Sequence, residues 1–252
     1  MISAVVLTKN EEKNIKRCLS SLTWADEIII IDDYSTDFTI RKIEKTNKKA
    51  KIYRRHLNND FAAQRNYGLS KAKGDWILFL DADEIIPEAL ASEIYNLQFT
   101  IYKNYDGFYV KRRDFFMGRE MKHGEVGNVK ILRFGKRPAS QTSRGKWKRK
   151  VHEYWDIDGK IGELENPILH HHTRNLSDFV NAINNYSTIH AGENEREGKR
   201  SNIWKIIFYP VGKFIYNYFF RLGFLDGTEG FIMAVMMSFH SFLAWTKIWL
   251  MD

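Results

Sequence analysis

The order of signals in the first hundred residues constrains this chain most: strand, helix, strand, helix, repeated. Residues 2–7 and 27–31 are short β-branched runs, as a sheet covered on both faces requires. Residues 11–22 carry Ile15, Leu19 and Leu22 at helical spacing, with Asn10 placed to cap. Strands at 51–53 and 76–80 then alternate with helices near 36–46 and 61–71. Such alternation implies right-handed crossovers and a mostly parallel central sheet of the α/β class. Ligands then collect beyond the carboxyl ends of the strands.

The polar residues stand at those ends. Residues 8–11 (TKNE) follow the first strand, 32–37 (DDYSTD) the second, and 81–84 (DADE) the fourth. Carboxylates gathered on one rim repel one another unless a cation or a hydrogen-bonding ligand shares the site. Asp81 and Asp83, one residue apart after an apolar strand, can project together toward one hard divalent ion. Mg²⁺ or Mn²⁺ shared with phosphate oxygens fits that oxygen-rich supply.

With 252 residues, 44% of them hydrophobic, and four prolines, the chain is long and apolar enough for a sizeable core. A disordered tail or a collagen is excluded, and the single Cys18, read as a small core residue, cannot form an internal disulfide. The net charge of +8 calls for an anionic partner: nucleic acid, a phosphorylated ligand or an acidic membrane. Residues 1–7 lack a basic leader and run straight into a strand pattern, so a cytoplasmic location is expected.

Four stretches in order, 5–11 (VVLTKNE), 31–37 (IDDYSTD), 62–68 (AAQRNYG) and 74–84 (GDWILFLDADE), resemble the inverting glycosyltransferases of family 2. Residues 151–153 (VHE), 166–170 (NPILH) and 223–227 (GFLDG) further resemble the bacterial lipopolysaccharide core β-1,4-glucosyltransferase type. The resemblance implies a GT-A fold, Rossmann-like, and a UDP-sugar donor. By position, Thr8, Asn10 and Glu11 would line the nucleotide pocket, and Asp33, with Asp32 beside it, would accept a hydrogen bond from the base. Arg65 would face the pocket or the diphosphate; Asp83 would hold the metal, and Asp81 would contact ribose or metal. Tyr34 stands where the family often has glycine.

Inverting transfer also needs a base on the acceptor side of the sugar. Glu153 matches the position where the subgroup carries its acid, with Asp156 and Asp158 as further candidates and His152 placed to orient it. His170 matches the subgroup's histidine, a further ligand to metal or phosphate, and could share a strand face with His172. Seven cations between 136 and 150, Arg144 among them, read as a solvated loop, as a lid over the diphosphate or as a dock for a phosphorylated glycolipid acceptor. Trp147 and Trp155 flank the site, as core or as platforms for a sugar face.

Aromatic residues crowd 204–249, so a boundary is placed near Arg200, giving a catalytic domain over 1–200 and an aromatic helical hairpin over 201–252. The run 231–250 is long enough to tempt a membrane-spanning reading, but Ser238, His240, Ser241, Thr246 and Lys247 argue against lipid on all sides. The expectation is peripheral membrane contact through 204–250. The alternative is a helical pair packed on the catalytic domain or, in a homo-oligomer, on a second copy.

The reading is transfer of a hexose from a UDP-sugar to a saccharide or lipid-linked acceptor at the inner face of the cytoplasmic membrane, without a nucleic-acid partner. A sugar-nucleotide pyrophosphorylase would need a glycine-rich loop where residues 8–11 stand. A basic nucleic-acid-binding protein or a non-catalytic membrane scaffold would have no use for ordered acid clusters at strand ends.

Overall fold

The computed structural model describes residues 1–97, 104–138, 145–150, 153–172 and 176–251. Contacts divide the chain into two compact units: unit 1 is Met1–Arg112 with Lys130–His171, and unit 2 is Arg113–Val129 with His172–Asp252. The boundary expected near Arg200 falls within unit 2.

Unit 1 opens as its sequence pattern predicts, with β1 (Ile2–Thr8), α1 (Ile15–Ser20), β2 (Glu27–Asp32), α2 (Thr39–Thr46), β3 (Lys51–Arg54), α3 (Phe61–Lys71) and β4 (Trp76–Asp81). Next come β5 (Glu84–Ile85), α4 (Glu88–Asn96) and β6 (Gly107–Phe116), which enters unit 2 at Arg113; β7 (Arg119–Met121) lies in unit 2. The chain returns with β8 (Val129–Lys136), β9 (Trp147–Lys148), β10 (Tyr154–Trp155), β11 (Ile161–Glu163) and β12 (Ile168–His172).

The main sheet runs β3-β2-β1-β4-β8-β6-β12-β5. Its first four strands are parallel and β8 is antiparallel to β4. β1 and β2 are buried almost throughout because each face of the sheet has its own core. Ala4 and Val6 join Ile15, Leu19 and Ile43 on one side, while Val5 and Leu7 join Ile31, Ala62 and Phe79 on the other. This two-sided burial is why these strands read as unbroken apolar runs. Cys18 is a buried core residue whose thiol is pushed up in pKa by that burial.

Register decides where the polar residues fall. Thr8 of β1 is level with Asp32 of β2, and Leu7 is level with Asp81 of β4. The three strand ends therefore bring their acids to one rim. α1 begins later than the apolar spacing suggests: Asn14 takes the cap position, and Asn10 has a left-handed φ of 54°. Asn10 instead ties two loops together, its Oδ1 accepting from the Thr36 amide at 2.8 Å and its own amide donating to Ser35 Oγ.

Unit 2 adds α5 (Leu176–Arg196), α6 (Ile203–Ile215) and α7 (Gly227–Met251). A π-helical stretch Tyr216–Phe220 and a 3₁₀ turn Gly223–Asp226 join the last two. The expected hairpin is thus one part of a three-helix arrangement, in which α7 packs against both α5 and α6. Phe116 and Met121 meet Phe179 of α5 and Met233 of α7 in a small core. The 223–227 motif is a clamp: the buried Asp226 carboxylate accepts from the amides of Lys122 and His123 and pairs with His123 Nδ1, at 2.8–3.0 Å.

Candidate active site

The end of β4 is the centre of the site. Asp81 accepts from Arg65 Nη2 at 2.9 and 3.2 Å and from Arg133 Nη2 at 2.8 Å. Burial opposes ionisation of Asp81, but the charges of Arg133 and Arg65 outweigh it and hold the carboxyl well below the usual range. Both guanidiniums lie over the Trp147 ring, at 4.9 Å for Arg65 and 5.9 Å for Arg133. Arg65 is 1% exposed and Arg133 5% exposed, and the Nη1 group of each is buried without a hydrogen-bond partner among the described residues. Glu84, fully buried beside them, donates nothing in its ionised form and accepts from the Asp81 amide at 2.9 Å. Burial raises its pKa, and the neighbouring Asp81 charge raises it further, against the pull of Arg133.

Local sequence explains how each group arrives. Asp60 caps α3 by accepting from the Ala63 amide, which sets the helix on whose first turns Arg65 lies. Gly68, a turn further on, lets α3 lie directly against Val5 and Ile31. β9 and β10 form a two-residue hairpin whose stacked Trp147 and Trp155 both meet the edge of Phe79 at 5.1 Å. These two indoles are buried core, which leaves neither face open as a sugar platform.

Glu153, the expected base, stands beside β10 with Oε1 accepting from Arg65 Nε at 3.0 Å. Asp156 is drawn instead to Lys148 Nζ at 2.6 Å within the hairpin, and Asp158 is exposed. Asp83 Oδ2 lies 3.2 Å from His170 Nε2, and both side chains are nearly buried. Backbone places them: His170 pairs with Glu84 across β12 and β5, and the His171 amide donates to the Asp83 carbonyl. Arg144, Val151, His152 and the side chain of His172 lie outside the described residues.

On the β1 and β2 side, Asp33 accepts from Lys9 Nζ at 2.6 Å and from the Leu57 amide at 3.1 Å. Asp32, fully buried, accepts from the Ser35 amide and hydroxyl, closing the turn that presents Asp33. Tyr34 adopts a left-handed backbone, with φ 50°, and stacks on His56 at 4.0 Å between ring centres. Thr8 Oγ1 is buried without a partner, while the Glu11 carboxylate is engaged by Asn14 Nδ2 at 2.7 Å. Among the basic residues expected as a loop or lid, Lys136 pairs with Asp106 and Arg137 Nε donates to the Gly74 carbonyl.

The donor set was expected to combine Asp83 with Asp81 and His170. Both Asp81 oxygens instead accept from guanidinium groups, and no group of three or more His, Cys, Asp and Glu side chains converges among the described residues. One carboxylate and one imidazole remain, a pair that fits a cation completed by phosphate oxygens and water, and Mn²⁺ accepts both donor types. Arg133 is the residue that sequence reasoning missed. Its signal was a lone arginine inside the apolar strand β8, where an unpaired cation would be costly to bury.

A parallel sheet with acids at its strand ends, joined to an antiparallel extension, is the mixed α/β arrangement of the GT-A fold. The model of glycosyl transferase family 2 matches residues 3–155, and the chain belongs to that family. It is 28% identical over 98% of its length to a lipopolysaccharide core biosynthesis glycosyltransferase, LpsC, of Rhizobium meliloti, covering 92% of that protein. It is equally identical, over the same share, to an uncharacterized glycosyltransferase of Rickettsia typhi, covering 86% of it. Among solved structures, the mannosyltransferase PcManGT of Pyrobaculum calidifontis, in complex with GDP-Man and Mn²⁺, superposes with a TM-score of 0.53 at 14% identity, over 98% of this chain and 86% of that one. S. aureus TarS 1-349 in complex with UDP-GlcNAc gives 0.52 at 17% identity, over 95% and 81%. The chain is therefore a glycosyltransferase with the GT-A fold.

Proposed function

We propose that this glycosyltransferase moves a hexose from a UDP-sugar to a lipid-linked or lipopolysaccharide-type saccharide, with inversion, at the cytoplasmic face of a membrane that it contacts through 204–250. The observation that carries the reading is that Arg65 bonds both Glu153 and Asp81 at the end of β4, with Asp83, two residues on, beside His170. The relatives support the donor and acceptor classes: UDP-GlcNAc is bound by TarS, and LpsC acts in lipopolysaccharide core biosynthesis.

Asp83 and His170 would hold Mg²⁺ or Mn²⁺, which when bound neutralises charge on the leaving diphosphate. Asp33 and the Tyr34–His56 stack would receive the uracil ring, with Thr8, Asn10 and Glu11 along the edge of that pocket. Asp81 holds Arg65 and Arg133 through their Nη2 atoms, and the Nη1 donor of Arg65 would turn to diphosphate oxygens. Glu153 Oε2, free of the Arg65 bond made by Oε1, takes the proton of the attacking hydroxyl. The acceptor oxygen then bonds to the anomeric carbon as the bond from that carbon to the diphosphate oxygen breaks, and UDP leaves.

Calorimetric titration of UDP with and without Mn²⁺, beside a screen of nucleotide sugars for transfer and hydrolysis, tests the reading. Glu153→Gln is expected to abolish turnover and keep UDP affinity, whereas Asp83→Asn loses both the Mn²⁺ dependence of binding and turnover. Full turnover in Glu153→Gln would move the base elsewhere. Absence of UDP binding in either condition would overturn the donor assignment.

A further inference from the structure

Unit 2 leaves an apolar surface that its own fold does not use. Only Ile206 and Pro210 of α6 are buried, while Ile203, Trp204, Phe208 and Val211 face outward, Trp204 at 65% exposure. The face continues into the π-helical stretch, where Phe219 is 54% and Phe220 75% exposed. Soluble monomers rarely show so large a continuous apolar patch, and such patches mark interaction sites. The rim is basic: residues 198–225 contain no acid and carry Arg200, Lys205 and Arg221, beside Lys199 and Lys213, which pair with Glu197 and Glu125.

From this face we infer that the outer side of α6 and the Tyr216–Phe220 stretch is a docking surface for an anionic lipid bilayer, entered by the aromatic side chains and held by the basic rim. The inference rests on the membrane contact within the proposed function and assigns it to one element. α7 is not that element, although Gly223–Met251 is long and apolar enough to cross a membrane. Two of its polar side chains are committed inside unit 2: Ser238 Oγ donates to the Pro210 carbonyl, and Lys247 Nζ donates to Asn184, Ser187 and Thr188 of α5. α7 is thus tied to α5 and α6, though it too exposes Phe231, Phe242 and Trp249, while α6 and the stretch after it join exposed aromatic side chains to the basic rim. Aromatic side chains with flanking Lys and Arg suit the headgroup boundary. A second copy is a poorer occupant, because a symmetric contact would set Arg200, Lys205 and Arg221 against the same cations, while the neighbouring Glu125 and Glu197 are engaged by Lys213 and Lys199.

The test is co-sedimentation of the full chain with vesicles of phosphatidylglycerol and phosphatidylethanolamine, against vesicles of phosphatidylcholine alone. Binding to the anionic vesicles is expected, weakening as salt rises. It should fall roughly tenfold or more in Trp204→Ser/Phe208→Ser/Phe220→Ser, and again in Lys205→Glu/Arg221→Glu. All five side chains lie at the surface or half-buried, so circular dichroism should stay that of the parent. Absence of vesicle binding, or binding unchanged by both variants, would overturn the inference. So would a concentration-dependent dimer, seen by sedimentation, that the aromatic variant abolishes while vesicle binding is absent. UDP affinity measured on the same samples reports on the donor assignment alone, so its loss beside intact vesicle binding would leave this surface standing.

Discussion

Asp81 carries two guanidinium charges on one carboxylate, and its removal leaves Arg65 with Glu153 and Arg133 with only the more distant Glu84. A buried ion pair adds little when whole, but a broken one leaves an uncompensated charge. Asp81→Asn is therefore expected to cost about 3 kcal/mol in urea denaturation, the low end for such pairs because the Asp81 side chain keeps some solvent access. The pH dependence follows from the direction of its shift. The folded carboxyl ionises well below the unfolded value of about 3.9, so the stabilisation is complete above that pH and is lost as pH falls toward the folded value. Acid titration of unfolding should show this loss in the parent and not in Asp81→Asn. Glu84 has the opposite sign: its raised pKa penalises the ionised form once pH exceeds about 4.3. Glu84→Gln, which keeps an acceptor for the Asp81 amide, should be neutral or stabilising at pH 7. At this scale the acids were legible because each follows an apolar strand. The partners were not, since nothing in spacing tells that Arg133, 52 positions downstream, meets Asp81.

At the scale of elements, legibility tracked burial pattern and length. β1, β2 and β4 were readable because both sheet faces are buried, and α3 begins at a side-chain cap, Asp60. β5, β9 and β10 have two residues each, too short for any periodicity. The 21-residue α5 escaped because its buried face mixes Ile183 and Ala191 with Ser187 and Asn194. The glycine of α3 gives a test at this scale. Alanine in a helix gains about 1 kcal/mol over glycine by propensity, so Gly68→Ala alone looks stabilising. Its Cβ would, however, collide with Val5 Cγ1 and press on Ile31 Cγ1 at 3.2 Å, both fixed in the sheet core. Overpacking of that kind costs about 1–3 kcal/mol, so the net change should be destabilising. Because α3 can yield only by moving away from β1, Arg65 should shift with it, and UDP affinity should fall in the same variant that lowers the thermal midpoint.

The whole chain is threaded between its units, which bears on whether the carboxyl-terminal helices can be removed. Unit 2 takes residues Arg113–Val129 from the middle of the sequence and closes them against helices that come much later. Phe116 and Met121 are buried with Met233 of α7, and Asp226 holds the Lys122 and His123 amides. Glu125 accepts from Lys213 Nζ at 2.8 Å and Asn217 Nδ2 at 3.1 Å. A chain ended after Arg200 would follow the shift in aromatic composition, yet it would strip every one of these partners while leaving 113–129 in place. The exposed pair Phe116 and Met121 alone would return roughly 3–5 kcal/mol of burial to water, a large share of what a domain has to lose. The truncated protein is therefore expected to bind a hydrophobic dye, aggregate on concentration and lose its cooperative melt, rather than persist as a soluble catalytic half. A monomeric 1–200 fragment with a sharp transition would instead make the aromatic helices an independent attachment, and 113–129 a segment that folds without them.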